Sequence, residues 1–250
     1  MDVSETEAII LSCRDYGESD RLIAFYSETA GRLKGIAKGA RRSRKRFVHT
    51  FEPCSLVNLT YRVRKGLVWI EACNLLEPFL GLRTDLKRWG YAGLLSEIVL
   101  EMAPEGERQP ELFSLFKQTL DRLVKTRDPL NVVLLFLLRF LHIMGYLPAL
   151  EGCEVCRRPL SSATHWWWAV NQGGLACPDH RRAGVDLFRL DLGTLVLIHQ
   201  SRRSSLADIW RFHFMQQRKV PLLNALLGWI REHIKKDLKS LRLLEQLGSA

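Results

Sequence analysis

Ser55-Leu56-Val57-Asn58-Leu59-Thr60-Tyr61-Arg62-Val63-Arg64-Lys65-Gly66-Leu67-Val68-Trp69-Ile70-Glu71-Ala72-Cys73 is the stretch from which the fold can be read. From Ser55 to Val63, Leu56, Val57, Leu59, Tyr61 and Val63 alternate with polar residues, the period of a strand with one buried face. Gly66 marks a turn, and Leu67 to Cys73 supplies another strand. Similar runs lie upstream: Ala8 to Cys13, Leu22 to Tyr26 and Leu33 to Ala37, separated by Gly17-Glu18-Ser19-Asp20 and Gly31. Five short strands over residues 6–78 predict a small barrel, and the count suits an OB-fold.

Beyond this region the period becomes helical. Thr84 or Asp85 caps a helix to about Met102, Pro110 starts a second through Val124, and Asp128-Pro129 starts a third to about Gly145. The third is apolar on nearly all sides, which predicts a central, buried helix. Arg139 and His142 share one face of it and read as a satisfied polar edge rather than an anion site. Leu192–Gln200 and Leu206–Trp210 read as short helices. Pro221–Leu244 reads as one long helix whose polar side carries Arg231, Lys235, Lys236, Lys239 and Arg242. The expected class is α+β: an OB-fold barrel over 1–80, then a helical domain over 81–250 with an insertion at about 150–185.

That insertion holds Cys153-x-x-Cys156 and Cys177-x-x-His180. A two-residue gap lets consecutive soft ligands meet one ion from a tight turn, and two such knuckles complete a tetrahedral site. Between them Thr164–Val170 is a strand candidate and Gly173-Gly174 a turn, the layout of a zinc ribbon. The expected cofactor is a structural Zn2+ on Cys153, Cys156, Cys177 and His180. His165 is the alternative fourth ligand. Cys13, Cys54 and Cys73 are scattered in apolar surroundings and read as inert thiols.

The net charge of +10 favours a polyanionic partner. From Thr29 to Phe51 there is no acid, while Arg32, Lys34, Lys38, Arg41, Arg42, Arg44, Lys45 and Arg46 fall within it. Like charges at this density repel unless an anion binds. The segment Lys38–Arg46 therefore reads as a mobile loop that clamps phosphate backbone without sequence preference. Phe25, Tyr26, Phe47, Phe51, Tyr61 and Trp69 are stacking candidates, most of them expected in the core.

Several classes are excluded. The acidic start, Met1-Asp2-Val3-Ser4-Glu5, has no apolar signal core. The longest apolar run, Val132–Leu147, is short for a membrane span and contains Arg139 and His142. A cytoplasmic protein with no membrane partner is expected. P-loop, dinucleotide and Gly-x-Ser-x-Gly motifs are lacking. So are the deaminase pattern and the N-terminal proline of zinc-bearing glycosylases.

At this point the chain resembles the bacterial RecO family of recombination mediators. The residues that carry the likeness are Gly17-Glu18-Ser19-Asp20, Gly31, Lys38-Gly39-Ala40-Arg41-Arg42, the two metal knuckles and Leu238-Lys239-Ser240, in family order. His180 departs from the cysteine usual in zinc-bearing members. The resemblance implies an OB-fold domain and a helical domain with the zinc site inserted, while the missing catalytic motifs make a non-enzymatic role the expectation. It also implies binding of single- and double-stranded DNA, strand annealing, and cooperation with RecR, single-strand binding protein and RecA. The alternative from the residues alone is an RNA-binding OB-fold/zinc-ribbon protein; a DNA-processing enzyme ranks below it.

Overall fold

The alternation of the quoted stretch becomes an antiparallel hairpin in the computed structural model, which describes residues 3–43, 45–148, 150–169, 173–181 and 187–246. Its first strand is Leu56–Arg64 and its second Leu67–Glu77. Lys65 and Gly66 form the two-residue turn, both at positive φ (49° and 76°), as a tight hairpin matched to strand twist requires. Upstream lie β1 (Val3–Tyr16), β2 (Asp20–Ser27) and β3 (Gly31–Ala37), so the hairpin strands are β4 and β5. The five strands close into a barrel in the order β1-β2-β3-β5-β4.

Closure depends on β1. Val3–Ile9 pairs with β4, whereas Ala8–Tyr16 pairs with β2, with an irregularity between Ile10 and Ser12. Gly35–Ala37 joins Val68–Ile70 in parallel on the opposite side. Alternate residues fill the lumen: Ala8, Ile10, Ile23, Phe25, Val57, Leu59, Tyr61, Val68 and Ile70. Phe47 and Phe51 join them from the basic segment, their rings 5.2 Å apart.

Two helices belong to the same compact unit, residues 1–127. These are α1 (Leu86–Met102) and α2 (Pro110–Lys125). Asp85, not Thr84, caps α1, accepting from the backbone N–H groups of Lys87 and Arg88. The Arg88 guanidinium then donates to the carbonyls of Leu123, Val124 and Thr126, satisfying the open C-terminal end of α2. Gly31 (φ 64°) sits against residue 107: a Cβ there would lie 1.8 Å from the Glu107 carbonyl oxygen.

Residues 128–250 form the second unit. Its centre is α3 (Pro129–Ile143), buried on nearly every side as expected and packed with α4 (Leu192–Arg203) and α5 (Gln216–Ile234). Asn131 is buried and clamps one backbone stretch, donating to Phe212 O and accepting from Phe214 N, both at 2.9 Å. Arg139 donates to the carbonyls of Arg202 and Ser204, a satisfied polar edge. A three-stranded sheet of order β7-β6-β8 completes the unit, formed by β6 (His165–Ala169), β7 (Gly174–Ala176) and β8 (Leu187–Asp191).

Several expectations need correction. Residues 221–244 are not one helix: α5 begins at Gln216, so Pro221 lies inside it, and it ends where Lys235 turns left-handed (φ 53°). A separate α6 (Lys239–Gln246) follows. The apolar stripe runs unbroken through Ile230, Ile234, Leu238 and Leu241, so periodicity hides the break. An interior proline costs about 3 kcal/mol. Burial of Leu222 and Leu223 offsets this; the nearby Lys219 is buried and ion-paired to Asp128. Arg231 and Arg242 have acidic partners, Glu245 and Asp237. Residues 206–210 give only a 3₁₀ turn, Ile209–Arg211. β8 was not anticipated.

Replacing Gly31 with alanine combines left-handed strain with a backbone clash and should cost roughly 3–5 kcal/mol. Gly17→Ala, at a similar φ but with open space around it, should cost only about 1 kcal/mol. Urea denaturation of the two variants checks the contrast; equal losses would show that the contact with residue 107 contributes nothing.

Candidate nucleic-acid interface and metal centre

The basic segment, expected as a mobile loop, is instead anchored on the barrel at Gly39, with Ala40 and Phe47 buried. Ala40–Arg42 forms a 3₁₀ turn with Ala40 buried, entered through Gly39 in the left-handed region. Asp20, the last residue of the Gly17–Asp20 turn, accepts from Gly39 N at 2.8 Å and from Ser19 Oγ at 2.9 Å. The Gly39 bond, with help from Ser19, holds its carboxyl below the usual range. The turn between β1 and β2 thus anchors the segment after β3.

The cations of the segment divide by placement. Arg32 is largely buried: its Nε donates to Ala103 O at 2.6 Å and Nη1 lies 3.5 Å from Glu105. Arg41 pairs with Asp15 at 3.4 Å and donates to Glu18 O. Lys34, Lys38, Arg42, Lys45 and Arg46 are exposed. Arg44 lies outside the described residues. Arg46 donates to Lys38 O at 3.0 Å, and its guanidinium lies 4.9 Å from the Phe47 ring centroid.

Lys38 and Arg46 form one wall of an open groove of about 610 Å³, whose other residues include Arg62, Arg64, Lys65, Trp69 and Glu71. Five cations there face one carboxylate. Arg62 spends part of its charge on Glu71, at 2.7 and 3.1 Å. Trp69 lies directly across from Arg62 in the β4–β5 pairing, and Lys38 Nζ sits 4.6 Å from its ring centroid. Of the six aromatics named as stacking candidates, Phe25, Tyr26, Phe47, Phe51 and Tyr61 are buried. Trp69 alone of the six stays half-exposed. Arg62, Arg64 and Lys65 escaped the sequence reading because they fall outside the acid-free run. The signal was present in the pleat: if Leu59 and Tyr61 point inward, Arg62 and Arg64 point outward.

In the second unit, Cys153, Cys156, Cys177 and His180 present one donor atom each, all within 4.8 Å of one another. Cys156 Sγ lies 3.9 Å from Cys177 Sγ, and His180 Nδ1 lies 3.8 Å from Cys153 Sγ and 3.2 Å from Cys177 Sγ. A tetrahedral centre with metal–sulfur bonds of about 2.3 Å sets its sulfurs about 3.8 Å apart. The four residues fit a metal ion. Burial pushes the Cys153 thiol up, but backbone N–H groups of Cys156, Cys177 and Val155 outweigh it and bring the value down to about 6. Burial raises Cys177. His165 is not in the cluster: it opens β6, with Nδ1 3.3 Å from Thr164 Oγ1. Cys54 and Cys73 are buried thiols pushed by burial to about 11 and about 12, hence inert.

No helix among the described residues is long and apolar enough to cross a membrane. Two family models cover nearly the whole chain: Recombination protein O N terminal over residues 1–79 and Recombination protein O C terminal over residues 83–242. The protein is 60% identical over 249 residues to the DNA repair protein RecO of Syntrophobacter fumaroxidans, with all of both chains covered. It is 31% identical to that of Syntrophus aciditrophicus, over 97% of this chain and 95% of the other. It is 32% identical to that of Syntrophotalea carbinolica, over 100% and 98%. The chain belongs to the RecO family of DNA repair and recombination proteins.

Proposed function

We propose that the protein is a non-catalytic, cytoplasmic recombination mediator that binds single- and double-stranded DNA and anneals complementary strands. In this reading residues 1–80 are an OB-fold DNA-binding domain and residues 81–250 a helical domain with a zinc-binding insertion at about 150–185. The observation that carries it is the barrel groove, where a half-exposed Trp69 lies among Lys38, Arg46, Arg62, Arg64 and Lys65. Cations neutralise phosphates of any sequence, and an aromatic face accepts any unpaired base. Lys34, Arg41, Arg42 and Lys45 extend the cationic surface, and Arg44 belongs to the same proposed DNA-binding set. Arg32 positions β3 through its bonds to residues 103–105. Two strands repel each other; a surface that screens both raises their local concentration and favours pairing. Family membership supports cooperation with RecR and single-strand binding protein in loading RecA onto coated strands.

Binding should weaken steeply with salt. The triple variant Lys38→Ala/Arg64→Ala/Lys65→Ala should lower the magnitude of the salt slope for single-stranded DNA by about 2. Trp69→Ala should cost about 1–3 kcal/mol of affinity and leave the slope unchanged. Fluorescence anisotropy with labelled oligonucleotides measures both. Wild-type affinity and slope in both variants would refute the groove. A structured RNA as competitor tests the RNA-binding alternative.

The ion we assign to the Cys153 cluster is zinc, in a structural role: four protein donors leave no open coordination position for chemistry. Cys153→Ser should lower the melting temperature well before it lowers DNA affinity per folded molecule. His180→Ala should reduce bound zinc, measured by elemental analysis, while His165→Ala retains it. Full zinc content in His180→Ala would remove that residue from the ligand set.

A further inference from the structure

Three consecutive tryptophans, Trp166, Trp167 and Trp168, occupy β6. A strand turns alternate side chains to opposite faces. Trp166 and Trp168 are fully buried; Trp166 Nε1 donates to Leu160 O, and Trp168 packs on Trp229. Core packing accounts for them but not for Trp167, which lies half-exposed on the opposite face. Its neighbour across the β6–β7 pair is the small Ala176 and across the β6–β8 pair is Arg189. The Arg181 guanidinium covers the indole at 4.1 Å from the ring centroid.

Among the described residues the local charges are not balanced. Glu154 is taken by Arg157 at 3.2 Å, Asp179 by Arg158 at 2.7 Å and Asp191 by Arg218 at 2.8 Å. Asp191 also caps α4, accepting from Thr194 N and Oγ1. Arg181 and Arg189 are exposed and have no ion pair among the described residues. A planar aromatic–guanidinium stack beside a second exposed arginine offers a π-face to a base and two cations to the flanking phosphates.

We propose that this face of the β7-β6-β8 sheet is a second binding site for single-stranded DNA, with Trp167 and Arg181 as the stacking platform and Arg189 as a phosphate contact. The chain then carries one stacking site in each of its two units. A mediator that pairs strands needs to hold more than one stretch of unpaired DNA, and two tethered sites raise the effective concentration of one segment near the other. The inference rests on the proposed strand-pairing role for its purpose, but its residues are separate from the barrel groove.

The test uses full-length protein with zinc content verified. Wild-type protein is irradiated with iododeoxyuridine-substituted oligodeoxythymidylate, and crosslinked peptides are identified by mass spectrometry. A crosslink at Trp167 is expected beside one in the barrel groove. In parallel, Arg181→Glu/Arg189→Glu should lower affinity for single-stranded DNA about tenfold with the melting temperature unchanged, and Trp167→Ala should fall within the range of one lost stacking contact. Crosslinks confined to residues 1–127, or wild-type affinity in the double variant, would overturn the second site while leaving the groove intact. Wild-type protein that binds no single-stranded DNA would instead defeat the functional reading itself.

Discussion

The structure of the N-terminal unit depends on one strand serving two partners. β1 is long enough to pair with β4 through its first half and with β2 through its second. The irregularity between Ile10 and Ser12 lets it bend from one to the other, as bulges do at barrel corners. Without that bend, β4 would remain an open edge. The lumen side chains, from Ala8 round to Ile70, would also lose the wall that keeps them dry. Everything placed on the outer surface, including the groove between Lys38 and Lys65, inherits its geometry from this closure.

The two sites use the period of two in the same way. On β4 and β5, Leu59, Tyr61, Val68 and Ile70 face inward, which obliges Arg62, Arg64 and Trp69 to face outward. On β6, burial of Trp166 and Trp168 obliges Trp167 to do the same. In each place one residue type that elsewhere builds core is turned to the surface among cations. The metal knuckles act differently. Their four donors come from two turns joined by β6 and β7, so an ion held there would tie together the ends of the small sheet.

Much of this was legible in the sequence. Alternation located β4 and β5, glycines located the turns, and the Cys-x-x-Cys/Cys-x-x-His spacing located all four clustered donors, because each is a local constraint on the chain. What was not legible arises from contacts distant in sequence. The inward folding of the basic segment depends on Phe47 and Phe51 reaching the lumen. Arg32 looked like any other cation until the carbonyl of Ala103 was seen 71 residues away. The break at Lys235 leaves no trace in a stripe that keeps its phase on both sides. β8 follows residues 182–186 and gains its identity only from pairing with β6.

The hydrogen bond from Gly39 N to Asp20 has a thermodynamic consequence for any anion that meets the basic segment. Eight cations on a free chain would lose their conformational freedom on binding, and each immobilised long side chain or backbone residue would subtract from affinity. A segment already anchored at Gly39, with Ala40 and Phe47 sunk into the protein, has met much of that entropic cost during folding. The anchor is a carboxylate whose charged form is favoured by the bond. It therefore persists above the ordinary carboxylate range and loosens only as pH falls through its lowered value. Near neutrality the cationic surface is preorganised, so an anion meets a segment that is already folded.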